Sequence, residues 1–243
     1  MSIFIPSVLP ADHPGEELPV MGSVQPPRWH DRPVIIVGTG PSLKGFDFER
    51  LRGLGWILAC KESMFSLPFA DAIFGLDIPW MRQRHDYLAE RVKSCEVYLA
   101  VPHQRLLHFR NIPGVQYLRR LRTSNTFIMD PTAVEAGGNS GFGAINLAVI
   151  KGARKIFLFG FDYSAGHFNQ ERYDERDAWG NGYMNYFPRW ATHFDETVDQ
   201  LNRLRVEIVN ASPDSNVKAY ERTTHDDAID RLGALAGKSG RGV

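Results

Sequence analysis

Short apolar runs alternate with helix-length segments along most of the chain. Runs without polar alternation predict buried strands at 34–37, 56–60, 72–76, 96–101, 115–118, 155–159 and 206–209. Helical patterns are found at 46–52, 79–93, 140–151 and 186–204. Strands that are apolar throughout and separated by helices are typical of a mainly parallel sheet covered on both faces. The pattern therefore predicts a Rossmann-like α/β fold.

The two ends of the chain differ in character from its middle. Residues 1–33 hold seven of the fifteen prolines and show little periodicity, which predicts an extended N-terminal arm. Residues 234–243 are small and basic and predict a flexible tail. A single α/β domain is expected over 34–233, with a long aromatic segment at 163–192 that is typical of a lid.

The first strand runs into a glycine turn, Gly38-Thr39-Gly40, followed by Pro41 and Ser42. Glycine permits a tight turn and close approach of a ligand, and proline suits the first turn of a helix. A strand, a glycine turn and a helix start gather free amides, which favours an anion such as phosphate. The dinucleotide fingerprint fits only in part, and a glycine turn without a ligand is the alternative.

A second anion signal lies at "GGNSG", residues 137–141. Asn139 or Ser140 can cap the helix that follows, but the glycines around it, including Gly141, exceed what a helix start needs. Either the backbone approaches a ligand closely there or the chain simply turns sharply. The next strand delivers Asp162, which suits a ligand hydroxyl, a cation or a plain turn cap.

Ligands of parallel sheets bind beyond the carboxyl ends of the strands. Polar residues follow six predicted strands at that edge, and they include Lys61, Glu62, Asp77, His103, Asp162 and Asn210. His167 and His193 lie in or beside the lid and are the candidate general bases, because imidazole titrates near neutrality. A solvated loop histidine is the alternative for each.

The charge and cysteine content of the chain limit the kinds of binding partner and the compartment that can be expected. The 243-residue chain has 28 basic and 28 acidic residues, so no global charge favours nucleic acid or an anionic membrane. A local basic stretch, Arg105–Arg122, is either a solvated rim or a surface for an anionic acceptor. Two cysteines predict free thiols, and no signal peptide or bilayer-length apolar run is present. We therefore expect a cytoplasmic protein without membrane insertion, and a homo-oligomer remains open.

Three motifs together, "GTGPSL", "NSG" and "IFLFGFDYS", resemble two related groups. One comprises the bacterial sialyltransferases of glycosyltransferase family 42. The other is the domain-of-unknown-function 115 (DUF115) group, which includes archaeal hydroxymethylpterin diphosphokinase. The run "VEIVNASPDSNVKAY" looks like the C-terminal strand of phage members, which implies a phage or prophage protein in an infected or lysogenic host.

The resemblance implies a role for each motif residue. Gly38, Gly40, Pro41, Ser42, Ser140 and Gly141 would hold a cytidine monophosphate sugar. Asp162 would be the assisting aspartate and His193, 31 residues later, the general base. His167 looks like the histidine of a Gly-x-His segment in the DUF115 group. The sequence departs from the sialyltransferases at Thr39 and near Lys61, where they have asparagine, and at Ser164, where they have tyrosine.

The expected function is that of a nucleotide-dependent transferase, most simply glycosyl transfer from a nucleotide-activated sugar to a hydroxyl acceptor. The acceptor is a glycan, a small molecule or phage DNA. One alternative is magnesium-dependent pyrophosphoryl transfer, with Asp77 and Asp162 as metal ligands. Another is a non-catalytic nucleotide-binding accessory protein. The expected nucleotide-site residues are Gly38, Thr39, Gly40, Pro41, Ser42, Lys61, Asp77, Asn139, Ser140 and Gly141.

Overall fold

A computed structural model of the protein describes residues 20–24, 29–102, 110–168 and 186–239. Within these residues, nine strands form one sheet in the order β6-β5-β4-β3-β2-β1-β7-β8-β9. The strands are β1 Val34–Val37, β2 Trp56–Cys60, β3 Ala72–Gly75, β4 Glu96–Val101, β5 Gln116–Leu121, β6 Ala133–Glu135, β7 Lys155–Phe159, β8 Glu207–Asn210 and β9 Glu221–Arg222. Every neighbouring pair is parallel, which confirms the predicted fold class.

The central strands are buried on both faces, which explains their unbroken apolar sequence. In β1, Val34 and Ile36 belong to one apolar cluster, and Ile35 and Val37 belong to the cluster on the opposite face. Side chains of a strand alternate between faces, so a strand in this position needs apolar residues throughout. The bounds of β1, β2, β4 and β7 therefore agree with the prediction.

Two strands have no counterpart in the sequence prediction. β6 has three residues and β9 has two, and both β9 residues are exposed. Such short strands carry too little hydrophobic pattern to be recognised. β5 also continues past its predicted end through Arg119 and Arg120, because an edge region of the sheet tolerates polar side chains.

Several predicted helices are shorter or divided in the structure. The predicted helix 79–93 is two helices, α1 (Ile78–Gln83) and α2 (His85–Arg91), which meet at Arg84, where the side chain turns towards buried Glu62. The predicted helix 46–52 is a 3₁₀ turn, Phe48–Leu51. Segment 186–204 divides into α4 (Phe187–Thr192), a 3₁₀ turn and α5 (Val198–Leu204). α3 spans Ser140–Ile150, close to its prediction.

A C-terminal helix, α6 (His225–Ser239), replaces much of the predicted flexible tail. Ala228, Leu232 and Leu235 recur at helical spacing and pack against the second face of the sheet. Two glycines in the helix, Gly233 and Gly237, obscure this pattern in the sequence. Apolar burial therefore outweighs their low helix propensity.

Part of the predicted N-terminal arm packs on the domain. The Gly22 amide donates to the Tyr117 carbonyl oxygen at 2.8 Å, and the Trp29 side chain is buried against the core. His103 and most of the predicted lid, 169–185, lie outside the described residues. None of the helices in the described part of the chain combines the length and apolar character that a bilayer crossing requires.

Candidate functional site

A cavity opens at the carboxyl edge of the sheet, beside β1. The strand order runs from β1 through β2 in one direction and through β7 in the other, so β1 lies at the switch point where parallel sheets bind ligands. The cavity holds about 120 Å³ and opens to solvent. The predicted site residues that line it are Gly38, Thr39, Gly40, Lys61, Asp77, Asn139, Ser140, Gly141 and His167.

Other predicted site residues lie elsewhere. The turn Gly38–Ser42 is called the glycine loop from here on. Pro41, Ser42 and Asp162 line a separate cavity on its other side. His193 does not line the first cavity, although Phe187 and Trp190 of its own helix do. Loops from distant parts of the sequence therefore converge as predicted, but the glycine loop divides them into two groups.

The Gly40 and Ser42 amides of the glycine loop are already used within the protein. The Gly40 amide donates to the Gly160 carbonyl oxygen at 2.9 Å, and the Ser42 amide donates to Asp162 Oδ1 at 3.0 Å. Pro41 has no N–H. The expectation that amides of Gly40–Ser42 hold a phosphate therefore needs correction, because the neighbouring loop already accepts these bonds.

Close packing accounts for the two glycines. A Cβ on Gly38 would lie 2.7 Å from the Gly160 carbonyl oxygen, and one on Gly40 would lie 1.8 Å from Asp162 Oδ2. Gly40 has φ −65° and ψ 155°, a conformation open to any residue. Its lack of a side chain is therefore required by the loop after β7 and not by backbone conformation.

Asp162 joins the loops that follow β1 and β7. Its side chain is 6% exposed and accepts hydrogen bonds from both the amide and the hydroxyl of Ser42, the latter at 2.8 Å. Burial raises the pKa of Asp162, and the bonds from Ser42 partly oppose that rise. These contacts make Asp162 a positioning residue of the glycine loop.

The start of α3 has unused donors. Asn139 Oδ1 caps the helix by accepting from the Phe142 amide at 2.8 Å. Among the described residues, neither the Ser140 nor the Gly141 amide donates a hydrogen bond. Asn139 is 8% exposed, and its Nδ2 has no hydrogen-bond partner among the residues that the structure describes. A helix N-terminus with open amides and a buried amide donor is suited to an anion.

The glycines before this helix are explained by turning. Gly137 and Gly138 have φ of +51° and +86°, a region that side chains with Cβ seldom adopt. Gly141 has a different reason, since a Cβ there would lie 2.4 Å from Tyr163 Oη. Tyr163 donates to Asn139 Oδ1 at 2.5 Å and itself has φ +50°. The sharp-turn reading thus accounts for Gly137 and Gly138.

His193 contacts the turn that leads into α3. Its Nδ1 lies 2.7 Å from the Gly137 carbonyl oxygen. A carbonyl oxygen only accepts, so Nδ1 carries the proton of the neutral ring and Nε2 carries the lone pair. The arrangement suits a general base, but the role itself stays a prediction.

His167 is buried in the wall of the cavity. Its ring stacks on that of Phe168 with centroids 5.0 Å apart, and the Phe168 amide donates to the Thr39 carbonyl oxygen at 3.1 Å. The histidine therefore lies beside the glycine loop, and its predicted role as a base is untested by these contacts.

Two charged residues follow β2. Lys61 has φ +53° and its Nζ lies 2.6 Å from Asp77 Oδ2, so the two predicted residues neutralise one another at the cavity wall. Glu62 also lines the cavity and is 4% exposed. The sequence placed Glu62 at a strand end, but the adjacent lysine obscured it as a site residue.

The residues proposed for magnesium do not fit a shared site. Asp77 pairs with Lys61 in one cavity, and Asp162 binds Ser42 in the other. Within the ranges that the structure describes, no group of three His, Cys, Asp or Glu side chains is arranged to hold a metal ion. These contacts give no support to Asp77 and Asp162 as a shared pair of magnesium ligands.

The predicted basic stretch is only partly a free surface. Arg119 pairs with Asp130 at 2.6 Å, and Arg120 Nη1 donates to the Leu76 carbonyl oxygen at 2.9 Å. Arg122 is exposed, and its guanidinium lies near Gly138, a residue that lines the cavity. Arg105 and His108 fall outside the described residues. These contacts give no support to a DNA acceptor.

Comparison with known proteins yields structural likenesses alone. No family model matches the sequence, so the DUF115 and phage parts of the resemblance gain no support, and no curated protein matches it. The sialyltransferase CstII from Campylobacter jejuni, in complex with the substrate analogue CMP-3FNeuAc, aligns with 14% identity and a TM-score of 0.46 over 79% of this chain and 86% of that one. Sialyltransferase CST-II with a trisaccharide acceptor and CMP gives the same values. CstII with cytidine-5′-monophosphate has 14% identity and a TM-score of 0.45, covering 85% of this chain and 99% of that one. At these values the likeness says nothing about the reaction of this protein.

Proposed function

We propose that this protein is a nucleotide-dependent transferase that moves a glycosyl group from a nucleotide-activated sugar to a hydroxyl acceptor. The observation that carries the proposal is the start of α3. Within the described ranges its first two amides, at Ser140 and Gly141, donate no hydrogen bond, and both residues line a cavity at the switch point of a parallel sheet. The motif resemblance to nucleotide-sugar transferases favours a cytidine monophosphate donor.

The charge that develops in such a reaction matches these donors. The bond between the anomeric carbon and the phosphate oxygen breaks as the acceptor oxygen forms its bond to that carbon. Negative charge then grows on the departing nucleotide phosphate, where the Ser140 and Gly141 amides and the α3 dipole stabilise it. Preorganised donors of this kind usually supply the largest electrostatic contribution.

The proton of the acceptor hydroxyl goes to His193. The bond between Nδ1 and the Gly137 carbonyl oxygen fixes the tautomer and leaves Nε2 as the basic nitrogen. Gly137 lies in the same segment as Ser140 and Gly141, so one stretch of backbone positions both the base and the anion-binding amides. His193→Ala is expected to lower turnover by about 10²–10⁴-fold and to leave nucleotide affinity nearly unchanged. Full activity in that variant refutes the assignment.

One substitution tests the open amide directly. Ser140 is the first residue of α3, a position that proline favours, and Asn139 before it has the extended φ −144° and ψ 156° that a following proline requires. Ser140→Pro therefore deletes the amide proton without breaking the helix. Ser140→Ala is the matched control, since it deletes the hydroxyl and keeps the amide.

We expect Ser140→Pro to weaken nucleotide binding by about tenfold or more, the loss of one hydrogen bond to a charged group. Isothermal titration calorimetry measures the affinity, after a thermal-shift screen of CMP, UDP, GDP, ADP and ATP with and without magnesium selects the ligand. Equal affinity of parent and Ser140→Pro protein contradicts the amide site. Selective binding without transfer to any acceptor points instead to the non-catalytic accessory protein.

A further inference from the structure

Glu62 is a buried carboxylate in which one oxygen accepts two hydrogen bonds and the other accepts none from the described residues. Oε1 accepts from Trp80 Nε1 at 2.8 Å and from Arg84 Nε at 3.0 Å. Oε2 is buried too, has no hydrogen-bond partner in the described part of the chain, and belongs to a residue that lines the cavity. A buried carboxylate oxygen without a donor is costly, so a native structure that keeps one has a reason for it.

The surroundings keep this group an acceptor. The Arg84 guanidinium and the Trp80 indole N–H both donate to Oε1, so the carboxylate accepts from both. Carboxylate oxygens are hydrogen-bond acceptors. Oε2 therefore suits a ligand group that donates and repels a phosphate.

The same cavity presents donors elsewhere. Asn139 Nδ2 is buried without a partner, and the Ser140 and Gly141 amides are open. The orientation of the Asn139 amide follows from its oxygen, which accepts from two donors, the Phe142 amide and Tyr163 Oη. The residues that line the cavity thus include donors for an anion and, at Glu62, an acceptor for an uncharged polar group.

We propose that Glu62 Oε2 accepts a hydrogen bond from a hydroxyl or amine of the bound nucleotide and selects ligands that carry this donor. The proposal deepens the function proposed above and rests on it. It also orients the ligand, with the phosphate at α3 and the donor-bearing part at the end of β2.

Glu62→Gln is a test with a defined outcome. The Trp80 and Arg84 donors both require an oxygen at the Oε1 position, so the glutamine carbonyl must take that place. The NH₂ group then occupies the Oε2 position. The substitution replaces an acceptor with a donor at nearly constant shape.

Two ligand comparisons distinguish the sources of the donor. CMP carries an amine at C4 of the base where UMP carries a carbonyl, and UMP in turn carries an N3–H donor that CMP lacks. CMP and 2′-deoxy-CMP differ in the 2′-hydroxyl of the ribose. For the parent protein we expect calorimetry to show at least one pair separated by about 10- to 100-fold in Kd, in favour of the donor-bearing member. Glu62→Gln is expected to abolish or reverse that separation. Preference between CMP and UMP assigns the amine, and preference between CMP and 2′-deoxy-CMP assigns the hydroxyl.

Three results overturn the proposal. They are no discrimination by the parent in either pair, unchanged discrimination in Glu62→Gln, and equal weakening of all three ligands, which a merely structural role produces. Glu90→Gln, at an exposed position on α2, is the control for loss of a carboxylate. If the parent binds no nucleotide at all, the proposed function fails first. If the parent binds nucleotide but Glu62→Gln discriminates between the ligands as the parent does, the proposed function stands and the inference about Glu62 is refuted.

Discussion

Gly40 tests whether the glycine loop is shaped by packing or by a ligand. In Gly40→Ala the new methyl group would meet Asp162 Oδ2 at 1.8 Å and the Gly160 carbonyl oxygen at 2.7 Å. The carboxylate can rotate away, but the carbonyl belongs to the backbone and has no such freedom. The backbone conformation of Gly40 itself accepts alanine without strain.

The magnitude follows from the bonds that Asp162 gives up. Its carboxylate accepts from the Ser42 amide and hydroxyl, and each hydrogen bond to a charged group contributes about 1.5–3 kcal/mol. Alanine recovers about 0.4–1 kcal/mol by lowering the entropy of the unfolded chain. We therefore expect Gly40→Ala to lower the free energy of unfolding by about 2–5 kcal/mol.

Urea unfolding followed by tryptophan fluorescence measures this change without any ligand. Gly233→Ala is the matched control, because a Cβ there meets nothing within 4 Å and the helix gains about 0.5–1 kcal/mol. In an Asp162→Ala background, Gly40→Ala should cost at least about 1 kcal/mol less, since the shorter contact is gone. If Gly40→Ala is as stable as the parent, the packing explanation is refuted, and close approach of a ligand becomes the better explanation for the glycine.

Three further predictions concern the thiol, an imidazole and a strained residue. Burial raises the pKa of Cys60 to about 12, so iodoacetamide at pH 8 should leave it unlabelled until urea unfolds the protein; peptide mass spectrometry of the native protein decides. Burial lowers the pKa of His225 below its ordinary value of 6.5, so the stability that its neutral form contributes is present above pH 6.5 and is lost as the pH falls. On acidification the free energy of unfolding of His225→Phe should therefore fall less than that of the parent. Parallel curves of unfolding free energy against pH would contradict this. Lys61 has φ +53°, which glycine adopts more easily than alanine, so Lys61→Gly should be about 1 kcal/mol more stable than Lys61→Ala in urea titrations. Both variants lack the ion pair with Asp77, so the pair does not affect the comparison. A more stable Lys61→Ala protein would exclude backbone strain at this position.

The sequence was sufficient where one physical rule dominates. Val34–Val37 has no solvated face, so its apolar run marks the strand without ambiguity. Polar residues after parallel strands must share an edge, which is why Lys61 and Asp77 could be expected near one another. α6 was missed because glycines interrupt its pattern, although its apolar positions keep helical spacing.

What the sequence could not show is which polar atoms are already used. Ser42 and Asp162 are 120 residues apart, and only their contact in the fold reveals that the Ser42 amide has a partner. The same motif read alone predicts a phosphate loop, because its free amides are inferred from local geometry. Hydrogen-bond satisfaction is a property of the whole fold, so local patterns overestimate the number of open donors.

This distinction is why we propose the anion site at the start of α3 and not at the turn after β1. Both starts follow the pattern of glycines and a polar cap, but the turn after β1 has three residues and its amides end on Gly160 and Asp162. α3 has eleven residues and keeps its first two amides open. Since the dipole of a helix grows with aligned peptides and acts at its end, α3 provides the stronger field as well as the unused donors. In the function proposed above, the glycine loop is a wall of the cavity that Asp162 holds in place, and the nucleotide phosphate binds at the start of α3.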